Sequence, residues 1–328
     1  MRIGKISDSV LKRSILSQIK TKRPEVLSGA GIGEDCAIFA ASDACACTVS
    51  QAPVPRGEDM AGVLVRCANN LAASGARPTA VLLTLLLPED AEEILLKRLM
   101  ASAEETCGRL GMQIAGGHTA VSSHVDIPMA CVTGWGIPVS GIPLQTTRGA
   151  QPGQDIILTK WIALEGTAIL ARQNRQRLTE RYPLRMVEEA ESFAHLLSVI
   201  PEAAVAAQSG IHAMHDASEG GILAALWEFS ESSGVGLTID LRKIPIRQET
   251  VEVCEFCGAN PYALASSGCL ILAADHGECL VRNLEEQGIP AAVIGQITHS
   301  RDRLIYNAEE KRYLDKPAQD EIYKYTAR

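Results

Sequence analysis

Strand-like and helix-like apolar patterns alternate along the whole 328-residue chain, and this alternation constrains the fold more than any other feature. Strands and helices that alternate bury their apolar faces in layers, so the expected fold class is α/β. In the first half, residues 7–20 carry helical spacing through Val10, Leu11, Ile15 and Ile19, and a glycine-rich turn follows at 28–33. Short strands are expected at 37–41 and 44–50, a helix at 59–74 ended by Gly75, and a strand at 79–87 stopped by Pro88. A helix at 91–110 and a strand at 125–135 come next. The pattern then resets through the Gly/Pro-containing stretch Thr147-Arg-Gly-Ala-Gln-Pro-Gly153. The chain is therefore read as two domains, 1–150 and 151–328, in keeping with about 150 residues per domain. The second half is expected to place strands at 155–159, 212–215, 236–240, 269–274 and 291–297, with helices at 164–173, 186–197, 202–209, 218–232, 249–257 and 277–287.

Charge and composition remove several classes of function. A net charge of -8 argues against a general nucleic-acid binder, which shows a basic face. A small anionic ligand stays open, because backbone N–H groups or a bound cation hold phosphate inside acidic proteins. No apolar run approaches the roughly 20 residues that span a bilayer, and the N-terminus has no apolar core of the signal-peptide type. No membrane partner is expected. Aromatics make up only 4%, so the cores are expected to be built from Ala, Leu, Ile and Val. Ten cysteines are dispersed, mostly within apolar stretches, and Cys67, Cys131 and Cys269 read as small buried hydrophobes. A cytoplasmic location is the simpler reading.

Four segments carry residues suited to chemistry. Gly31-Ile-Gly-Glu-Asp-Cys-Ala37 joins two glycines, which allow close backbone approach, to Glu34 and Asp35, hard oxygen donors of the kind Mg²⁺ accepts beside phosphate oxygens. On spacing alone, a solvated acidic turn is the favoured reading. Asn69 and Asn70 sit in an otherwise apolar helix, where their amides need partners from a ligand or from neighbouring backbone. Ala115-Gly-Gly-His-Thr119 offers room at Gly116 and Gly117, with polar groups at His118 and Thr119. In His212-Ala-Met-His-Asp-Ala-Ser-Glu-Gly-Gly221, Asp216 and Glu219 have capping-box spacing, and Gly220-Gly221 would expose N–H groups at a helix N-terminus. Plain helix capping also accounts for Asp216. The pair Cys254-x-x-Cys257 has no second pair at zinc-site spacing and reads as structural, as do His212 and His215.

In this order and spacing the four segments resemble the AIR synthase-like ATP-binding superfamily, which includes aminoimidazole ribonucleotide synthetase, thiamine-monophosphate kinase, selenophosphate synthetase and the hydrogenase maturation factor HypE. Gly33-Glu-Asp-Cys-Ala-Ile38 is similar to the superfamily's G-D-D-A-A-V loop, and Asn69-Asn70-Leu-Ala-Ala-Ser-Gly-Ala-Arg-Pro78 to its N-D-L-A-x-x-G-A-x-P helix. Gly116-Gly-His-Thr119 resembles G-G-D-T, and Met214-His-Asp-Ala-Ser-Glu-Gly-Gly221 resembles M-x-D-x-T-x-G-G. The resemblance is strongest to the HypE type, through Gly234-Val-Gly236, Ile244-Pro-Ile246 and Asn260-Pro-Tyr262. It implies a two-domain fold whose N-terminal domain binds ATP and pairs with its twin in a homodimer. It also implies Mg²⁺ or another divalent cation bridging phosphates to acidic side chains, and activation of an oxygen by phosphoryl transfer or dehydration, achieved mainly by positioning and charge stabilisation.

On that resemblance Glu34, Asp35 and Asn70 are the expected metal ligands, and His118 and Asp216 the expected catalytic groups. Gly31, Gly33, Asn69, Gly116, Gly117, Thr119, Gly220 and Gly221 are the expected cofactor contacts. Asn70 and His118 stand where the superfamily carries metal-binding Asp residues, and its T-D pair appears here as Val49-Ser50 or Ser50-Gln51, without a carboxylate. A histidine suits a softer divalent metal than Mg²⁺. No cysteine follows Cys279 or precedes Cys36, so the expected chemistry is neither HypE's, which uses a C-terminal cysteine, nor that of selenophosphate synthetase. Two functions follow: an ATP-dependent activating or phosphoryl-transfer enzyme with an unassigned small-molecule substrate, or a non-catalytic nucleotide sensor or assembly factor with a depleted metal site.

Overall fold

The structure is a computed structural model and describes residues 8–10, 12–13, 16, 24, 26–40, 45–54, 59–139 and 143–326. Most of the helix expected over 7–20 lies outside these residues; its described part includes one helical turn, α1 (Asp8–Val10). The chain separates into two compact units. One contains Arg23–Gly29 and Asp35–Leu144; the other contains Met1–Lys22, Ala30–Glu34 and Gln145–Arg328. In sequence, the first unit is thus inserted into the second, and the division falls between Glu34 and Asp35.

The inserted unit comprises β1 (Val26–Ser28), β2 (Ala37–Phe39), β3 (Cys45–Pro53), α2 (Ala61–Ala73), β4 (Ala76–Leu87), α3 (Glu93–Leu110), β5 (Gln113–Val121) and β6 (Met129–Pro138). Its sheet runs β1-β2-β3-β6-β4-β5, antiparallel except for the β4–β5 pair. That parallel pair needs a crossover, which α3 supplies. Alternate residues face opposite sides of the sheet. Ala46 and Thr48 of β3, Val81 and Leu83 of β4, and Ala130 and Val132 of β6 are buried on one side. There α2 packs against β3, β4 and β6 and buries Leu64, Cys67, Ala68 and Leu71. The opposite side leaves large apolar groups in solvent, with Val49 58%, Leu82 38% and Trp135 37% exposed. The segment Ala115-Gly-Gly-His-Thr119 lies within β5, paired with β4.

The second unit comprises β7 (Asp155–Thr159), α4 (Leu164–Gln173), α5 (Arg175–Arg181), α6 (Leu184–Ser192), α7 (Ile200–Gln208), β8 (Ala213–Ala217), α8 (Gly221–Ser233) and β9 (Gly236–Asp240). It continues through α9 (Gln248–Cys257), β10 (Cys269–Ala274), α10 (Gly277–Glu286), β11 (Ala291–Thr298), β12 (Arg303–Asn307), β13 (Glu310–Tyr313) and α11 (Tyr323–Thr326). Its sheet has the order β13-β12-β9-β11-β7-β10-β8, with only β12–β9 parallel. Every residue of β10 is buried, as expected of a strand covered on both faces. On one side Ile222, Leu226 and Phe229 of α8 meet Ile156, Leu158, Ile271 and Ala273. α10 packs against β7, β10 and β11. A separate helical cluster joins Leu170, Leu178, Val187 and Val253. The helix expected over 186–197 divides into α6 and a 3₁₀ turn at Phe193–Leu196. The hairpin β12–β13 and the short helix α5 were not anticipated.

Candidate functional site

In the inserted unit the site residues are gathered by Thr48. This side chain points inward from β3; its Oγ1 donates to the carbonyl oxygen of Asp35 at 2.9 Å and accepts from Asn70 Nδ2 at 3.1 Å. Cys36 Sγ donates to the Asn70 carbonyl at 3.1 Å, so the acidic loop is fastened to the last turn of α2 at two points. Asn69, beside it, is fully buried. Asp35, Asn70 and Thr48 are thus neighbours, and all three offer hard oxygen atoms. Mg²⁺ held by one or two carboxylates together with substrate phosphates matches such a donor set. The residues present fit that kind of ion; among the described residues no three His, Cys, Asp or Glu side chains are grouped to hold a metal without help from a ligand.

The β5 segment behaves differently. Gly116, Gly117, His118 and Thr119 are all exposed on an edge strand. At Gly117 (φ 153°) a Cβ would run into the carbonyl oxygen of Leu83, so glycine there serves strand packing. His118 pairs with Thr84, Thr84 with Cys131, and Cys131 with Gln51. Cross-strand partners share a face. That rung lies on the exposed side of the sheet, whereas Asn70 and Thr48 lie on the side covered by α2. The structure therefore does not bring His118 to the Thr48–Asn70 cluster within one chain.

Gly31, Gly33 and Glu34 belong to the other unit. Gly33 takes a left-handed conformation (φ 66°), and a Cβ there would stand 2.6 Å from the carbonyl oxygen of Glu228 in α8. Glu34 forms an ion pair with Arg148 and accepts from Ser232 Oγ at 3.4 Å; its side chain is only 3% exposed. The guanidinium compensates the charge that the sequence offered to a metal. Glu228 itself turns its carboxylate to His215 Nε2 at 3.3 Å, both side chains being buried.

Asp216 is buried within β8 and does not cap a helix. The strand runs on to Ala217, and α8 begins only at Gly221, with Gly220 (φ 87°) at the N-cap. This overturns the capping-box reading: a turn over Ser218–Gly220, left-handed at Gly220, separates β8 from α8, so Asp216 lies about a full turn too early. The Gly220 N–H donates instead to Asp320 Oδ2 at 2.6 Å. Asp320 also accepts from the N–H groups of Ala265 at 3.2 Å and Ile322 at 2.8 Å. Burial, with a smaller contribution from nearby Glu219, outweighs these bonds and pushes the Asp320 carboxyl up to about 6.

Sequence reasoning missed Thr48, Arg148, Ser232 and Asp320. Thr48 carried a signal, the inward position two residues after Ala46 on an alternating strand. Asp320 carried none, since Gly220 and Ala265 lie far away in the chain. The cysteines behave largely as read: burial pushes Cys67, Cys254 and Cys269 up to about 12, and all ten are unbridged. Cys131, expected to be buried, is half-exposed. No helix among the described residues is long and apolar enough to cross a membrane.

Residues 26–137 match the family described as AIR synthase related protein, N-terminal domain, and residues 151–307 its C-terminal domain. A putative hydrogenase expression/formation protein of Methanocaldococcus jannaschii is 30% identical over 259 residues, 77% of this chain and 75% of that protein. Carbamoyl dehydratase HypE of Rhodobacter capsulatus is 29% identical over 234 residues, 70% of this chain and 66% of that relative. The crystal structure of hydrogenase maturation protein HypE in complex with ATP superposes with a TM-score of 0.67 at 21% identity, covering 97% of each chain. The two-domain fold, the order of its motifs and these likenesses agree: the chain belongs to the AIR synthase related family, alongside HypE-type hydrogenase maturation proteins.

Proposed function

We propose that this protein binds ATP through its inserted unit and works as a homodimer that activates an oxygen of a small molecule by ATP-dependent phosphoryl transfer or dehydration. The observation that carries the reading is the Thr48 bridge, which holds Asp35 and Asn70 together as oxygen donors. Asp35 and Asn70 would hold a divalent cation, which when bound would neutralise phosphate charge. Asn69, Gly116, Gly117 and Thr119 are assigned to the nucleotide, and Gly31, Gly33 and Glu34 to fixing the first part of the loop on α8. The small-molecule acceptor is assigned to the C-terminal unit, through Asp216 and the Gly220–Gly221 turn. The exposed apolar side of the inserted sheet supports pairing with a second copy, and His118 would act only through that face. The ATP complex of a HypE structure with the same fold supports the choice of nucleotide. A cytoplasmic setting accords with ten unbridged cysteines.

A second reading, a nucleotide sensor without turnover, is favoured by one observation: Glu34 is committed to Arg148, which leaves one carboxylate in the cluster. Titration with ATP in the presence of Mg²⁺, of Mn²⁺ and of neither, with ADP release followed in parallel, tests both. Metal-dependent binding with turnover supports the enzyme, binding without ADP release supports the sensor, and no binding under any condition refutes both.

A further inference from the structure

The carboxylate in the turn before α8 comes from the far end of the chain. Asp320 is 2% exposed and lies beyond residue 307, where the family match ends, whereas its partners Gly220 and Ala265 lie inside that match. Its two oxygens are divided between segments, Oδ2 taking the Gly220 N–H and Oδ1 the N–H groups of Ala265 and Ile322. One short side chain thereby ties the α8 turn to the strand-entry loop before β10. The residues that follow fasten the same strap. The Glu321 N–H donates to the Ala263 carbonyl at 3.1 Å, Ile322 enters the helical cluster with Val253 and Cys254, and Tyr325 Oη donates to the Cys257 carbonyl at 2.9 Å. Asp315, Lys316 and Ala318, which lead into it, are exposed.

The turn that Asp320 holds has little freedom to find its shape unaided. Gly220 and Gly221 both carry left-handed φ angles, and a Cβ on Gly221 would stand 2.6 Å from the Tyr262 carbonyl oxygen. The Ser266 N–H donates to the Ser218 carbonyl at 3.0 Å, a second tie between the same two segments. Glycine pairs have many alternative conformations, so a turn of this kind holds one geometry only where its surroundings over-determine it.

We infer that Asp320 is a positioning residue that fixes the Ser218–Gly221 turn, and through it the end of β8 that carries Asp216, in the arrangement the C-terminal unit uses for its ligand. The inference rests on the assignment of Asp216 and Gly220–Gly221 to the acceptor side of the reaction. The charged groups around Asp320 are Glu219 on the turn, and Glu321 and Lys324 on the strap, which pair with each other at 2.6 Å. Of these, Glu219 raises the Asp320 carboxyl further. Because the docked carboxyl binds its proton more tightly than a free one, docking is tightest below the ordinary 3.8, loosens as pH rises toward about 6 and levels off above it.

The test is amide hydrogen exchange on the full chain without nucleotide, comparing wild type, Asp320→Asn and Asp320→Glu from pH 5 to 8 after correction for intrinsic rates. Asparagine keeps the size of the side chain but has only one acceptor oxygen, so Gly220 or Ala265 loses its partner. Exchange at one or both should quicken by about tenfold or more, the order set by a lost charge-assisted bond. Protection within Cys269–Ala274 should be unchanged, which shows that the fold is intact. The wild-type turn should lose protection as pH rises from 5 through about 6 and level off above that, and the Asn variant should not follow that profile. ADP release, once a wild-type rate is measured, should fall with Asn and recover in part with Glu. Equal protection in wild type and Asn overturns the inference. Altered protection with unaltered ADP release also overturns it, since the turn would then not serve the reaction. No ATP binding by the wild type refutes the proposed function alone, because the exchange profile is read without nucleotide.

Discussion

Replacing Gly33 by alanine would test whether the first part of the acidic loop is built against α8. Two costs are added at that position. A left-handed conformation at a non-glycine residue costs about 1–2 kcal/mol. The new Cβ would also stand 2.6 Å from the Glu228 carbonyl oxygen, a helix backbone atom that cannot rotate away. Forcing an extra carbon into a filled space costs about 1–3 kcal/mol. The sum is about 2–5 kcal/mol, which for a unit of this size corresponds to a fall in Tm of roughly 5–20 °C. The loop can escape only by leaving α8, and then Glu34 loses Arg148 and Ser232. Calorimetry should therefore show the destabilised transition, and hydrogen exchange should show faster amides at 31–34. Gly62→Ala is the control, since nothing lies within 4 Å of its added Cβ and helix propensity favours alanine. If Gly33→Ala melts like wild type and leaves exchange at 31–34 unchanged, the docking of this loop is wrong.

Asn70→Asp should strengthen Mg²⁺-dependent ATP binding by calorimetric titration, because it adds a carboxylate beside Asp35; an unchanged affinity would place Asn70 outside the metal shell. Thr48→Val removes the bonds of Thr48 to Asp35 and Asn70 while keeping the shape of the side chain; it should cost about 0.5–1.5 kcal/mol per lost bond in chemical denaturation, and weaken ATP binding. For Asp320 the folded carboxyl lies near 6 and the ordinary one at 3.8, so its contribution to stability is greatest below 3.8 and is lost as pH rises through 6. The stability difference between wild type and Asp320→Asn should change in that window by at most about 3 kcal/mol, and a difference independent of pH would refute the assignment. Trp135→Glu puts a charge on the exposed apolar side of the inserted sheet and should convert a dimer to monomer by light scattering; a wild-type monomer would refute the pairing.

The layered α/β character of both halves was legible because the pattern of apolar residues reports directly on which sides of an element are covered. The run Cys269-Leu-Ile-Leu-Ala-Ala274 could be read as a strand from its apolar composition, and it is buried throughout. The site was legible only in part. Asp35 and Asn70 were recognisable from residue type and motif, but the hydroxyl that joins them belongs to Thr48, one residue before the pair to which the comparison of motifs drew attention. Glu34 and Asp35 read as a pair because they are adjacent in sequence, whereas the fold assigns them to different units and gives one of them to Arg148. The glycines of β5 read as space for a ligand, and at least Gly117 is required by the approach of the neighbouring strand. Sequence spacing reports nothing of an oxygen atom on an adjacent strand. Asp320 was invisible for the same reason, since its bonds to Gly220 and Ala265 are made across the fold.

The insertion of one unit into the other also sets a timetable. Glu34 is synthesised 198 residues before Ser232, the side chain that helps to bury it. At about 5–20 residues per second, the loop leaves the ribosome roughly 10–40 s before its berth on α8 exists. Within that interval, once β6 has been made, the inserted unit has all of its own strands and can fold. The stretch Gly31-Ile-Gly-Glu34 must wait in water, where two glycines and a carboxylate are well suited to remaining soluble. The loop's polarity thus serves the nascent chain as well as the finished protein.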